Sequence, residues 1–69
     1  MELCGSFDAW KTRFPMQFDG YTNQWFITKH LTRGKYLYKY VVNTNNWVVN
    51  EFEAREKDAS GNLNNVLSL

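Results

Sequence analysis

Apolar residues in this chain come in short runs that alternate with polar ones and are broken by turn residues every few positions. The clearest run is 35–43. Tyr36, Tyr38, Tyr40 and Val42 fall on one side of an extended chain there, and Leu37, Lys39 and Val41 on the other, because successive strand side chains point to opposite faces. A second run, 24–31, gathers Trp25, Ile27 and Leu31 on one side and Phe26, Thr28 and His30 on the other. The inward-alternating Trp25 is expected in the core. Residues 3–7 read as the end of a strand, 13–18 as a short extended piece, 47–50 as a hairpin partner of 35–43, and 64–69 as a closing strand. Pro15 confines its segment to an edge or irregular position.

Turn residues separate these runs. Asp19-Gly20, Thr32-Arg33-Gly34, Asn43-Thr44-Asn45-Asn46 and Ser60-Gly61-Asn62 are the breaks, and Asn tolerates the left-handed backbone angles such turns need. Residues 51–62 are charged and polar; within them only 52–58 could pass for a helix, and that stretch has no repeated apolar stripe. Short strands at hairpin spacing predict an all-β fold, a small antiparallel β-sandwich, immunoglobulin-like in the broad sense.

At 69 residues the chain is expected to form one domain, spanning 1–69. A chain of this length buries only about 60% of the surface its unfolded form exposes, so its stability is expected to be marginal. Three Trp, four Tyr and five Phe enlarge the apolar payload. The net charge of +1 is far from the dense basic clustering that neutralises phosphates. The tyrosine row does not rescue a nucleic-acid reading, because period two sets Tyr36, Tyr38 and Tyr40 opposite Lys35 and Lys39. Cys4 is the one cysteine, read as a small buried hydrophobe. No charged and apolar leader, long apolar span or Asn-x-Ser/Thr sequon occurs. The expectation is a cytoplasmic protein with no membrane or nucleic-acid partner.

The chemistry worth following lies at Trp10 and Trp47, which sit on polar turn-like segments rather than in the apolar runs. A large ring left in water needs a cover, either the domain's own core or a flat partner. Loop tryptophans can fold back to plug the end of a sandwich. A sugar ring is the other flat partner, stacking its axial C–H bonds on the indole face while its hydroxyls reach polar side chains. Lys39 points away from the tyrosine face and can donate to hydroxyls, and Asn64 offers a donor and an acceptor. The plainer alternatives are a solvated strand lysine and a turn-capping or ladder asparagine.

The ordered motifs carry a resemblance. Gly5-Ser6-Phe7-Asp8-Ala9-Trp10, Pro15-Met16 and Trp25 are followed by Gly34-Lys35-Tyr36-Leu37-Tyr38-Lys39-Tyr40-Val41-Val42, Trp47 and Asp58-Ala59-Ser60-Gly61-Asn62-Leu63-Asn64-Asn65-Val66-Leu67. This series resembles carbohydrate-binding module family 48, the glycogen-binding domain found in the β subunit of AMP-activated protein kinase. The resemblance implies an α-1,4-glucan site built from Trp10, Lys39, Trp47 and Asn64, serving to target or regulate an associated enzyme. It also implies a further strand before the Gly-Ser-Phe element, which here lies almost at Met1. A piece of a longer protein, or an edge open to a partner's strand, are the two expectations that follow. The corresponding alternative function is a protein–protein interaction or scaffold module that keeps the fold without sugar binding.

No cofactor is expected. His30 is isolated from any metal-ligand spacing. The acids Asp8, Asp19, Glu51, Glu53, Glu56 and Asp58 lie on turns or in a solvated run. Glycosidase chemistry needs two carboxyls flanking a cleft, so no catalytic residue is expected.

Overall fold

The computed structural model describes residues 1–69. In chain order its elements are β1 (Glu2–Gly5), a single 3-10 turn (Ser6–Asp8), β2 (Phe14–Pro15), β3 (Gln17–Asp19), β4 (Gln24–Phe26), β5 (Lys35–Val42), β6 (Asn46–Val48), β7 (Arg55–Lys57) and β8 (Leu63–Ser68). All pairings are antiparallel. The fold is all-β, as the alternation predicts, with a main sheet ordered β2-β1-β5-β8-β7 and a separate hairpin β3-β4.

Strand β5 organises the molecule. One of its edges takes β1 along Tyr38–Val41, and the other is shared by β8 against Lys35–Tyr38 and β6 against Tyr40–Val42. Register then sorts the side chains, since paired residues share a face. Cys4, Leu37, Lys39, Val41, Trp47, Asn64 and Val66 lie on one face; Leu3, Tyr36, Tyr38, Tyr40, Asn65 and Leu67 lie on the other.

The tyrosine face meets the β3-β4 hairpin and the irregular segment that follows it. Between them lies an apolar cavity of about 310 Å³, lined among others by Leu3, Trp25, Phe26, Tyr38, Tyr40 and Leu67. Tyr38 and Tyr40 meet edge to face at 5.7 Å, and the Tyr40 hydroxyl donates to Glu53 Oε1 at 2.7 Å. Burial first, and that bond second, push the Tyr40 phenol above its ordinary range. Fully buried side chains are few, Cys4 and Val41 among them. Burial raises the Cys4 thiol pKa, with the charge of Asp8 adding to it, as expected for an inert packed cysteine.

Several local expectations change. Residues 24–31 do not form one strand: β4 stops at Phe26, and 27–33 carries no ladder. Trp25 is 44% exposed rather than core. It sits on a three-residue strand at the periphery, edge-on to Phe18 at 5.2 Å, with only part of its ring turned to the cavity. The charged stretch, for which the pattern predicts no element, holds a strand, β7. Charges suit an edge, where they discourage further pairing. At the opposite edge is β2, the proline-containing piece. It pairs with β1 at Glu2 and Leu3, so that edge of β1 is not left bare.

Asn65 explains how β7 is delivered to its place. It is fully buried. Its Oδ1 accepts from the Asn50 N–H at 2.8 Å, and its Nδ2 donates to the carbonyls of Asn50 and Ala54 at 2.9 and 3.2 Å. One amide thus satisfies three backbone groups of the connecting segment, which would otherwise be costly to bury.

Candidate functional site

Trp10 stands at the end of a tightly wound segment. Its N–H donates to the Gly5 carbonyl at 2.9 Å and that of Ala9 to the Ser6 carbonyl at 3.2 Å. The Cys4 thiol points at the Trp10 carbonyl at 3.7 Å. Ala9 and Trp10 both adopt left-handed backbone angles, with φ of 59° and 63°. Non-glycine residues persist there only when their surroundings hold them. The result is an indole lifted out of the core and 38% exposed.

Trp47 comes from the other direction. It pairs with Val41 in the β5-β6 hairpin, which puts its ring on the Lys39 face, 43% exposed. The hairpin turn predicted at 43–46 is present, closing at the Val42–Asn46 pair. Asn43 takes the left-handed angle its side chain tolerates, φ 52°, and so does the β-branched Thr44, φ 73°. Lys39, in the middle of β5, is half-buried. The molecule's ion pair joins Lys35 and Glu56 instead, so the Lys39 ammonium carries no carboxylate partner.

Asn64 arrives on β8 and is 2% exposed. Its Nδ2 donates to Asp58 Oδ2 at 3.3 Å and to the Asn62 carbonyl at 3.2 Å. The donors expected to serve a ligand are therefore engaged within the turn, and the group left without a partner is Oδ1. Asp58 ties the turn: its Oδ1 accepts the N–H groups of Ser60 and Asn62, each at 2.9 Å. The Asn62 N–H is the main influence holding the Asp58 carboxyl below the usual carboxylate range, aided by the Asn64 amide and the Ser60 N–H and opposed by desolvation.

Trp10, Lys39, Trp47 and Asn64 line one shallow cavity of about 250 Å³, together with Asp58 and Asn62. Three hollows are larger: two, of about 460 and 310 Å³, border Tyr40 on the opposite face, and one of about 480 Å³ lies between residues 29–32 and Leu67 and Leu69. The smaller cavity is the one that combines two exposed indoles with an unpaired amine, an amide and a carboxylate. That set can stack flat apolar surface while donating to and accepting from hydroxyls.

Asp58 and Asn62 were not among the residues expected in the site. The signal was present, because Asp58-Ala59-Ser60-Gly61-Asn62 is an Asx-turn sequence, but Asp58 reads equally well as one more solvated acid. Arg13 gave no signal. Its guanidinium carbon lies 5.1 Å from the centroid of the Trp47 ring, and its Nη1 donates to the Thr44 carbonyl. No group of three or more His, Cys, Asp or Glu residues is placed to hold a metal ion.

Comparison with known proteins bears on this cavity. A family model described as the glycogen recognition site of AMP-activated protein kinase matches residues 1–69. The phosphoglucan phosphatase DSP4, amyloplastic, of Castanea sativa is 33% identical over 70 residues, a match covering 100% of this chain and 18% of that protein. The chain thus spans less than a fifth of the length of that relative.

Proposed function

The chain belongs to the family of glycogen recognition sites of AMP-activated protein kinase, and from that premise we propose that it binds α-1,4-linked glucan, glycogen or starch, without catalysing a reaction on it. The observation that carries the reading is the convergence of Trp10, Lys39, Trp47 and Asn64, from four separate segments, on one open cavity. Glucose units stack on the two indoles. The Lys39 ammonium donates to hydroxyl oxygens, while Asn64 Oδ1 and the Asp58 carboxylate accept from hydroxyls.

Such a site is shallow and its affinity modest. If each stacked ring contributes about 1 kcal/mol beyond burial, short oligosaccharides bind with Kd in the micromolar to millimolar range, roughly −4 to −8 kcal/mol. Usefulness comes from the many glucose units of one polymer and from linkage to an enzyme, which converts weak contacts into a high local concentration. We propose targeting or regulation of an associated enzyme as the biological role. The Castanea relative, a phosphatase by name and far longer than this chain, is consistent with such an arrangement.

A second reading, an interaction module, is favoured by the exposure of Trp25, Phe18 and Phe26 on the β3-β4 hairpin beside the apolar cavity. Glycogen in a native gel separates the two. Retardation of the wild type, lost in Trp10→Ala and Trp47→Ala, supports glucan binding. Calorimetry with maltoheptaose is expected to show about 5- to 30-fold weaker binding for Trp47→Ala with unchanged unfolding. Equal binding by wild type and Trp47→Ala counts against the stacking site. Failure of the wild type to bind either ligand leaves the interaction module as the better reading.

A further inference from the structure

Arg13 directly precedes β2, a long way in sequence from the hairpin it touches. It makes two contacts there: its guanidinium lies over the Trp47 ring, and Nη1 donates to the carbonyl of Thr44, 31 residues away. No carboxylate forms an ion pair with it, because the molecule's ion pair is Lys35–Glu56. The hairpin tip it reaches contains two successive non-glycine residues in the left-handed region, one of them β-branched. That conformation is disfavoured on its own and needs neighbours to hold it.

We infer that Arg13 is a positioning residue of the carbohydrate site, clamping the hairpin tip through the Thr44 carbonyl and covering one face of the Trp47 indole so that the opposite face receives the sugar ring. The inference rests on the glucan reading above. A ring held at its backbone and at one face arrives at the ligand already ordered, and less freedom is lost on binding. Arginine suits the task because its planar cation stacks on an aromatic face while its N–H fork still donates in the same plane. Lysine offers the charge without the plane. The arrangement also limits Trp47 to one stacked glucose unit.

Two measurements test this, one of them independent of sugar. In protein carrying 15N-labelled tryptophan, Arg13→Ala is expected to shift the Trp47 indole resonance and increase its fast motion, leaving those of Trp10 and Trp25 in place. Arg13→Lys is expected to fall between wild type and Ala. Calorimetry with maltoheptaose is expected to show about 3- to 10-fold weaker binding for Arg13→Ala, with partial recovery in Arg13→Lys and the same thermal midpoint in all three. An unchanged Trp47 resonance, or a freed Trp47 with affinity kept within about twofold, overturns the positioning role. If Arg13→Ala lowers the midpoint, the Lys variant decides on the same readouts. Wild-type protein that ignores maltoheptaose while Arg13→Ala still frees Trp47 removes the glucan reading and, with it, the site that Arg13 was inferred to position. The physical clamp alone is then retained.

Discussion

Asp58 shows how one side chain joins stability to the site. Its carboxylate gathers the N–H groups of Ser60 and Asn62 and the amide of Asn64, so its folded pKa lies below the usual value. An Asp in the unfolded chain titrates near 4. A depressed folded pKa contributes stability that is complete above the unfolded pKa and is lost as pH falls through the folded one. The 58–62 turn should therefore loosen as the pH drops below about 4, releasing Asn64 from its fixed orientation. Thermal melts between about pH 3 and pH 7 are expected to show a steeper acid decline for wild type than for Asp58→Asn, whose amide does not titrate. Parallel acid limbs in the two proteins would remove Asp58 from this role. Trp10 and Trp47 stand out in the sequence because turn residues surround them, and Lys39 because alternation sets it opposite the tyrosines; Asn64 is marked by the family resemblance of the motif series. Arg13 and Asp58 do not stand out, because what distinguishes each from an ordinary surface charge is its set of partners in the folded chain.

Elements were legible in proportion to their length. The eight-residue β5 came through with its facing residues correctly sorted, since it repeats its alternation several times, and the six-residue β8 came through as a strand. The three-residue β4 and β7 did not, because so short a piece is decided by its neighbour's hydrogen bonds more than by its own pattern. The join between β1 and the 3-10 turn depends on close approach. Gly5 is buried with an ordinary extended φ of −166°, so its lack of a side chain matters for space. A Cβ there would sit 2.3 Å from Phe7 Cε2 and 2.8 Å from the Leu37 carbonyl oxygen. The ring can move; the carbonyl is part of β5. The adjacent Ser6 hydroxyl accepts the Leu37 N–H at 2.9 Å, fastening the turn to that strand. Gly5→Ala is expected to destabilise the fold by about 1–3 kcal/mol in urea titration and to weaken glucan binding by displacing the segment that carries Trp10. A midpoint equal to wild type would mean that the turn yields without strain.

At the scale of the whole molecule the limit is size. A radius of gyration of 12.1 Å and few fully buried residues describe a domain with little core in reserve. A ligand that binds only the folded state then has a large visible effect. At a hundredfold excess over Kd the stabilisation is about 2.7 kcal/mol. For a domain of this length that corresponds to a rise in Tm of roughly 10–20 °C. Calorimetric scans with maltoheptaose are expected to show this rise in wild type and to lose most of it in the Trp10→Ala, Trp47→Ala double variant. A full rise retained in the double variant would place the ligand elsewhere, and an unmoved wild-type Tm at about a hundredfold excess over a millimolar Kd would mean that the folded domain does not bind it. The surface is otherwise mixed in sign, with a net charge of +1, which suits a neutral polymer better than a phosphate backbone.

The amino-acid order alone determined the all-β class, the two faces of β5 and the hairpin before Trp47. Each follows from period-two alternation or from turn residues, which act over a few positions. The tertiary structure decided the rest. It exposed Trp25 because its short strand lies at the periphery, made a strand of the charged 55–57 piece because β8 had a free edge, spent the Asn64 donors on Asp58, and brought Arg13 onto Trp47. Those outcomes depend on which distant groups become neighbours, and a local pattern carries no information about that.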